Sequence, residues 1–180
     1  MKQIFPIAIF LFFSSNIQSQ INHSFVLGPD LGIGANFGNS SKLSIGGGIN
    51  YTLNISPKIG LRLNAGYNRF NGKFFDDYVS FLPIRAGVQS FIYQDIFFAF
   101  ADAGIATYKS SNPDPSLTKF SWAAGLGFNK PLNEKGSQMI QTSAWFNFYK
   151  HSTYLNYTWF NIRVAYGFSF GKKLTNNESE

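Results

Sequence analysis

Eight segments of this chain alternate between apolar and small or polar side chains, residue by residue. A period of two marks a β-strand whose two faces meet different surroundings. The first segment spans about Phe25 to Phe37. It sets Leu27, Leu31, Ile33 and Ala35 against Gly28, Asp30, Gly32, Gly34 and Asn36. The second runs Leu43 to Leu53 and the third Ile59 to Asn68. The fourth spans Tyr78 to Ser90 with Pro83 inside it, and the fifth, Phe97 to Thr107, carries Phe on both faces. The last three are Phe120 to Asn129, Ile140 to Tyr149 and Phe160 to Phe170. Turn-rich stretches separate them: GNSSK, NISPK, NGKFFDD, YQD, KSSNPDPSLTK, NKPLNEKG and KHSTYLN. This pattern predicts an all-β chain, an eight-stranded antiparallel up-and-down barrel over residues 20–171. An even number of strands returns both ends to one side, with no second domain.

Which face is outside decides what the chain is. A soluble barrel puts its large apolar side chains inward; a membrane barrel puts them outward. The polar face here is mostly Gly, Ser and Asn, without mid-strand Lys or Glu. A water-facing surface would use many of both. The apolar set, rich in Phe, Leu and Ile, is also too bulky for eight strands, whose interior holds little more than side chains. Only 13% of residues are charged and 18% are aromatic, yet mean hydropathy is −0.07. That combination suits a chain whose apolar and polar residues alternate across a lipid boundary. Outside the N-terminus no apolar run approaches the ~20 residues of a membrane helix, whereas about nine alternating residues suffice for a tilted strand. The transmembrane barrel is the expected form.

The polar interior then carries Asp30, Arg62, Arg85, Asp102 and Arg163. In up-and-down order strand eight closes on strand one, and strand four neighbours strand five. Arg163 is expected to meet Asp30, and Arg85 to meet Asp102, with Arg62 a third cation nearby. Trp145 and Phe100 help fill the space. The expectation is a lumen plugged by polar side chains rather than a conducting pore, the alternative being solvation of these groups by water. Aromatic residues gather toward strand ends, where a lipid interface favours them. Tyr67, Tyr108, Trp122, Tyr157 and Trp159 are assigned to a girdle near the loops, with Tyr78 and Tyr154. Phe168 and Phe170 are assigned to the opposite girdle, with Tyr51, Phe91, Tyr93 and Phe128.

Residues 1–19 read as a secretory signal: Lys2, then the apolar run Ile4 to Phe13, then SSNIQSQ with cleavage after Ser19. Residues 172–180 form a short polar tail on the periplasmic side. Cysteine is absent, which excludes disulfides, a lipoprotein anchor and thiolate metal sites. Without Lys2 of the signal the formal charge is 14 − 9 = +5, and the remaining lysines are scattered over turns and the tail, so nucleic acid is not an expected partner.

Little else carries chemistry. His23 and His151 are the two histidines, too few for a metal site with scattered Asp. His151-Ser152 invites an acyl-transfer reading, but no acid lies near in sequence to orient the histidine. Gly32-Ile33-Gly34 and Gly125-Leu126-Gly127 lack dinucleotide spacing and context. Asp76-Asp77 and the NPDP loop read as solvated acids. No enzyme activity, cofactor or metal is expected.

Two stretches carry a resemblance: FLPIRAGVQSFIYQDIFFAFADAGIATY (Phe81–Tyr108) and NIRVAYGFSFG (Asn161–Gly171). They are similar to the small outer-membrane β-barrel proteins of Gram-negative bacteria, the porin-family or PorT-like barrels akin to OmpX and the OmpA transmembrane domain. The second stretch resembles the C-terminal assembly signal, with Arg163 as its polar position and Phe168 and Phe170 as its aromatic pair. Ala165 stands where that signal uses Gly, and further residues follow Phe170. The resemblance implies export to the outer membrane and insertion by the barrel-assembly machinery, with outer-membrane lipid and lipopolysaccharide as surroundings. Four readings stay open: a structural, adhesive or partner-binding barrel acting through its loops; a subunit of a secretion or uptake complex bound to other outer-membrane proteins; a lipid-A-modifying enzyme; and, with the faces inverted, a soluble periplasmic carrier.

Overall fold

A strand that must cross hydrocarbon has no water to satisfy its backbone, so each edge needs a partner and the sheet has to close. The computed structural model describes residues 22–35, 40–72, 78–93, 96–110, 116–152 and 156–171, and it shows this closure. The strands are β1 (Asn22–Ala35), β2 (Ser40–Asn54), β3 (Ile59–Gly72), β4 (Tyr78–Tyr93), β5 (Phe97–Ser110), β6 (Leu117–Pro131), β7 (Gln138–Lys150) and β8 (Asn156–Gly171). Each pairs antiparallel with the next, and β8 returns to β1 with Asn22 opposite Gly171 and Ala35 opposite Thr158. The expected signal sequence and tail lie outside the described residues, as do Phe37, Asp76, Asp77, the NPDP acid and Tyr154.

The strands run further than alternation suggests. The longest expected loop, 109–119, is shortened from both sides, because β5 continues to Ser110 and β6 begins at Leu117. β3 likewise extends through Asn71 into the next loop. Alternation ends where lipid ends, but backbone pairing continues into water. Strands of 13 to 16 residues, rising ~3.4 Å each and tilted by about 40°, make a wall taller than the ~25 Å apolar band of such barrels.

The two faces are sorted as the alternation requires. Leu31 and Ile45 are 65% and 67% exposed, and Leu63, Ile84, Ile105, Leu126, Phe146 and Val164 also point outward. Asp30, Asn50, Arg62, Asn64, Arg85, Asp102, Ser143 and Arg163 are buried inside. β5, where both faces carry Phe, sends Phe98 and Phe100 inward and Phe97 outward. An exterior this apolar all round exceeds what a water-soluble monomer exposes; its solvent is hydrocarbon.

The β2–β3 and β6–β7 connections, both at one end of the barrel, are short: four residues from Ile55 to Lys58 and six from Leu132 to Ser137. In the last of these Gly136 takes φ 64°, the left-handed region, while Asn133 Oδ1 accepts the Ser137 amide at 2.9 Å.

Val164 lies near the middle of β8 on the exterior. Val164→Arg is expected to destabilise the folded barrel by about 2–4 kcal/mol, read from urea titrations in lipid vesicles. An unchanged midpoint would contradict the exterior assignment.

A candidate functional site in the barrel interior

The interior is a column with charge in its middle and aromatic rings toward each end. Arg163 and Asp30 stand directly opposite one another on β8 and β1. The guanidinium grips both carboxylate oxygens, Nε on Oδ1 and Nη2 on Oδ2, the latter at 2.8 Å. Room for it comes from Gly48 on β2, where a Cβ would collide with Nη2. The Arg163 guanidinium carbon also lies 5.0 Å from the centre of the Trp145 ring.

The second pair crosses a strand. Arg62 on β3 faces Gly87 on β4, and Gly87 faces Asp102 on β5. A Cβ at Gly87 would come within 2.6 Å of the Asp102 carboxylate, so only glycine leaves the gap through which Arg62 Nε reaches Asp102 Oδ2, at 3.1 Å. Arg62 Nη1 donates to Gln89 at 3.3 Å, and the guanidinium lies 3.8 Å over the Phe100 ring. Asp102 thus pairs with Arg62 where the sequence expectation pairs it with Arg85. The reason is register: Arg85 sits two residues from Gly87 and faces Gly104. Its Nη1 reaches Asn147 Oδ1 on β7 at 2.8 Å instead. The same oxygen accepts Trp145 Nε1 at 3.0 Å.

Asparagines extend the network. Asn161 on β8 donates to Asn68 Oδ1 on β3 at 2.7 Å, Asn64 donates to Asn50, and Gln141 donates to Asn129 at 2.9 Å.

At the loop end, Phe70, Phe81, Tyr108, Tyr149, Tyr157 and Trp159 form a buried cluster. Phe81 stacks on Trp159 with centroids 4.6 Å apart, and Tyr149 Oη donates to the Leu117 carbonyl at 2.7 Å. The His151 ring sits edge-on to Tyr108 and Tyr157, at 5.0 and 5.2 Å. At the turn end, Phe98, Phe100, Trp145 and Ala123 pack together against Phe91.

The girdle assignment divides. Tyr67, Trp122, Phe168 and Phe170 are exposed on the exterior. Tyr108, Tyr157 and Trp159 are not: they are buried in the loop-end cluster, Trp159 at 1% exposure. Alternation carries the signal. Tyr157 and Trp159 share the phase of Asn161 and Arg163, and Tyr108 shares that of Asp102. Nearness to a strand end outweighs phase in the girdle assignment, and phase is what the backbone obeys. Phe70, Phe81, Tyr149 and Asn147, absent from the sequence-based site, are found by the same rule.

His151 lies with these rings, and among the described residues no carboxylate shares its end of the barrel. Asp30 and Asp102 are held by arginines, and Glu134 is in the opposite turn. Among the described residues, none completes the acid–histidine–serine relay that acyl transfer uses.

Removing one member of a buried pair strands the other. Asp30→Ala is expected to cost about 3–5 kcal/mol, whereas Asp30→Leu with Arg163→Met should cost clearly less. Urea unfolding of the two variants side by side checks the order, and equal losses would contradict a coupled pair.

No family model matches the chain, and no curated protein matches it in sequence. Solved structures do. The attachment invasion locus protein Ail of Yersinia pestis superposes with a TM-score of 0.58 at 17% identity, over 84% of this chain and 99% of Ail. Neisserial surface protein A superposes with a TM-score of 0.55 at 12% identity, over 83% and 97%. OprG of Pseudomonas aeruginosa gives 0.54 at 11% identity, over 86% and 98%. With its closed eight-stranded sheet and its hydrocarbon-facing exterior, the chain has the fold of the small outer-membrane β-barrels of Gram-negative bacteria, and that membrane is where such an exterior belongs.

Proposed function

We propose that this barrel has a closed lumen and acts at its loop end, in an adhesive or partner-binding role toward anionic carbohydrate. The observation that carries the reading is the set of large and ionised side chains turned into the barrel. Two aromatic clusters lie toward its ends with paired ionised groups between them, an arrangement that supports a lumen without a continuous aqueous path. What remains for recognition is the rim. Arg69, Lys109, Lys119 and Lys150 are all exposed near the loop ends of β3, β5, β6 and β7. Phosphorylated lipopolysaccharide sugars and sulfated glycans are both chemically suited to such a rim. Ail supports the sulfated class by analogy, since one of its structures is a complex with the heparin analogue sucrose octasulfate.

A second reading, a subunit of a larger outer-membrane assembly, is favoured by one patch of the exterior. Ala86, Ala99, Ala101, Ala103 and Ala124 point outward from β4, β5 and β6, side by side in register. Small residues let another membrane protein approach closely. Recovery of a stoichiometric partner from native membranes, lost on Ala101→Phe, would support this second reading over the first.

In planar bilayers the barrel is expected to show no large steady open state, and Phe81→Ala with Tyr149→Ala should raise ion flux several-fold. A large open state in the unaltered protein would contradict the closed lumen. Binding to immobilised heparin in detergent should weaken with salt. It should also fall by about two to three orders of magnitude when the four rim cations become Gln, given roughly 1 kcal/mol per surface cation near an anionic partner. Retention of full affinity would refute the rim.

A further inference from the structure

Among the described residues, the ionised groups inside the barrel do not balance. Arg62, Arg85 and Arg163 face Asp30 and Asp102, and none is more than 3% exposed. Asp30 is committed to Arg163 through both oxygens, and Asp102 is paired with Arg62. Arg85 has a neutral partner, the Asn147 oxygen, and its Nε and Nη2 have none. A desolvated cation in this position calls for a counter-charge.

The neighbouring groups offer donors. Ser121 is in the same hydrogen-bonded row as Arg85, with only Gly104 between them. It is fully buried, and its hydroxyl has no partner. Trp159 faces Asn147, and its indole N–H is buried without an acceptor. The Asn147 oxygen already takes two donors. The opposing group is Asp102 Oδ1, which also lacks a partner and belongs to the adjacent row through Gly87. It disfavours an anion beside it and favours the side of Ser121.

We propose that the lumen binds one small monovalent anion, of which chloride is the abundant example, at the free edge of the Arg85 guanidinium, with Ser121 and Trp159 as further donors. One such ion cancels the single excess charge among the described interior residues. A doubly charged anion such as hydrogen phosphate would overshoot it. The ion is then part of the core, joining β4, β6 and β8 by hydrogen bonds that the side chains alone leave unmade. This inference rests on the closed-lumen reading. The two fail separately, because an open pore shows itself as conductance and a closed lumen without the ion does not.

The test uses the folded protein in detergent at fixed ionic strength, exchanging chloride for gluconate, and crystals grown with bromide. The urea midpoint should rise with chloride, and anomalous diffraction should place bromide beside Arg85. Arg85→Gln should abolish both effects and, in gluconate, should be at least as stable as the parent. Equal chloride dependence in parent and variant, or no bromide at Arg85, overturns the proposal. Should Arg85→Gln fail to insert, the bromide position in the unaltered protein decides.

Discussion

Hydrocarbon offers no hydrogen bond, and the rest of the molecule follows from that. A backbone amide left unpaired in the bilayer costs several kcal/mol, so no strand of this chain can remain an edge. Closure of β8 on β1 satisfies the last row. It also removes freedom from the sequence: once the sheet is closed, each residue faces either lipid or the lumen, and a slip by one position exchanges them all. The eight alternating segments are the record of that constraint.

The same closure makes the interior a scarce volume. Eight strands leave room for side chains and little more, and the chain places rings toward both ends of it with arginine–aspartate pairs between. Glycine sets where the pairs form. Gly87 and Gly48 mark the places where a guanidinium passes over a strand, so the spacing of small residues on the inner face matters as much as the charges. Buried pairs of this kind contribute less to net stability than to register, because separating either partner is far costlier than never having placed the pair.

Much of this was legible in the residues. The strand number, the order of pairing, the sorting of faces and the meeting of Arg163 with Asp30 all follow from a period of two and up-and-down topology. Three things did not. Strand ends escaped because polar residues above the lipid still pair their backbones, as at Ser110 and Leu117. The partner of Asp102 escaped because adjacency of strands does not give depth, and the choice between Arg62 and Arg85 turns on a two-residue offset. Tyr108, Tyr157 and Trp159 were within reach, since phase alone places them inside; aromatic residues near a membrane surface suit both a girdle and a plug, and composition cannot separate the two.

The most direct measurement is a single-cysteine scan along β8, which the absence of native cysteine makes clean. Spin labels at Asn161 through Phe168 in a lipid bilayer would be read for collision with oxygen and with an aqueous nickel reagent. The account predicts a period of two, with Ile162, Val164, Tyr166 and Phe168 open to oxygen and closed to nickel. Nickel reaching those four positions, with oxygen favouring Arg163 and Ala165, would show that water surrounds this barrel and would contradict it.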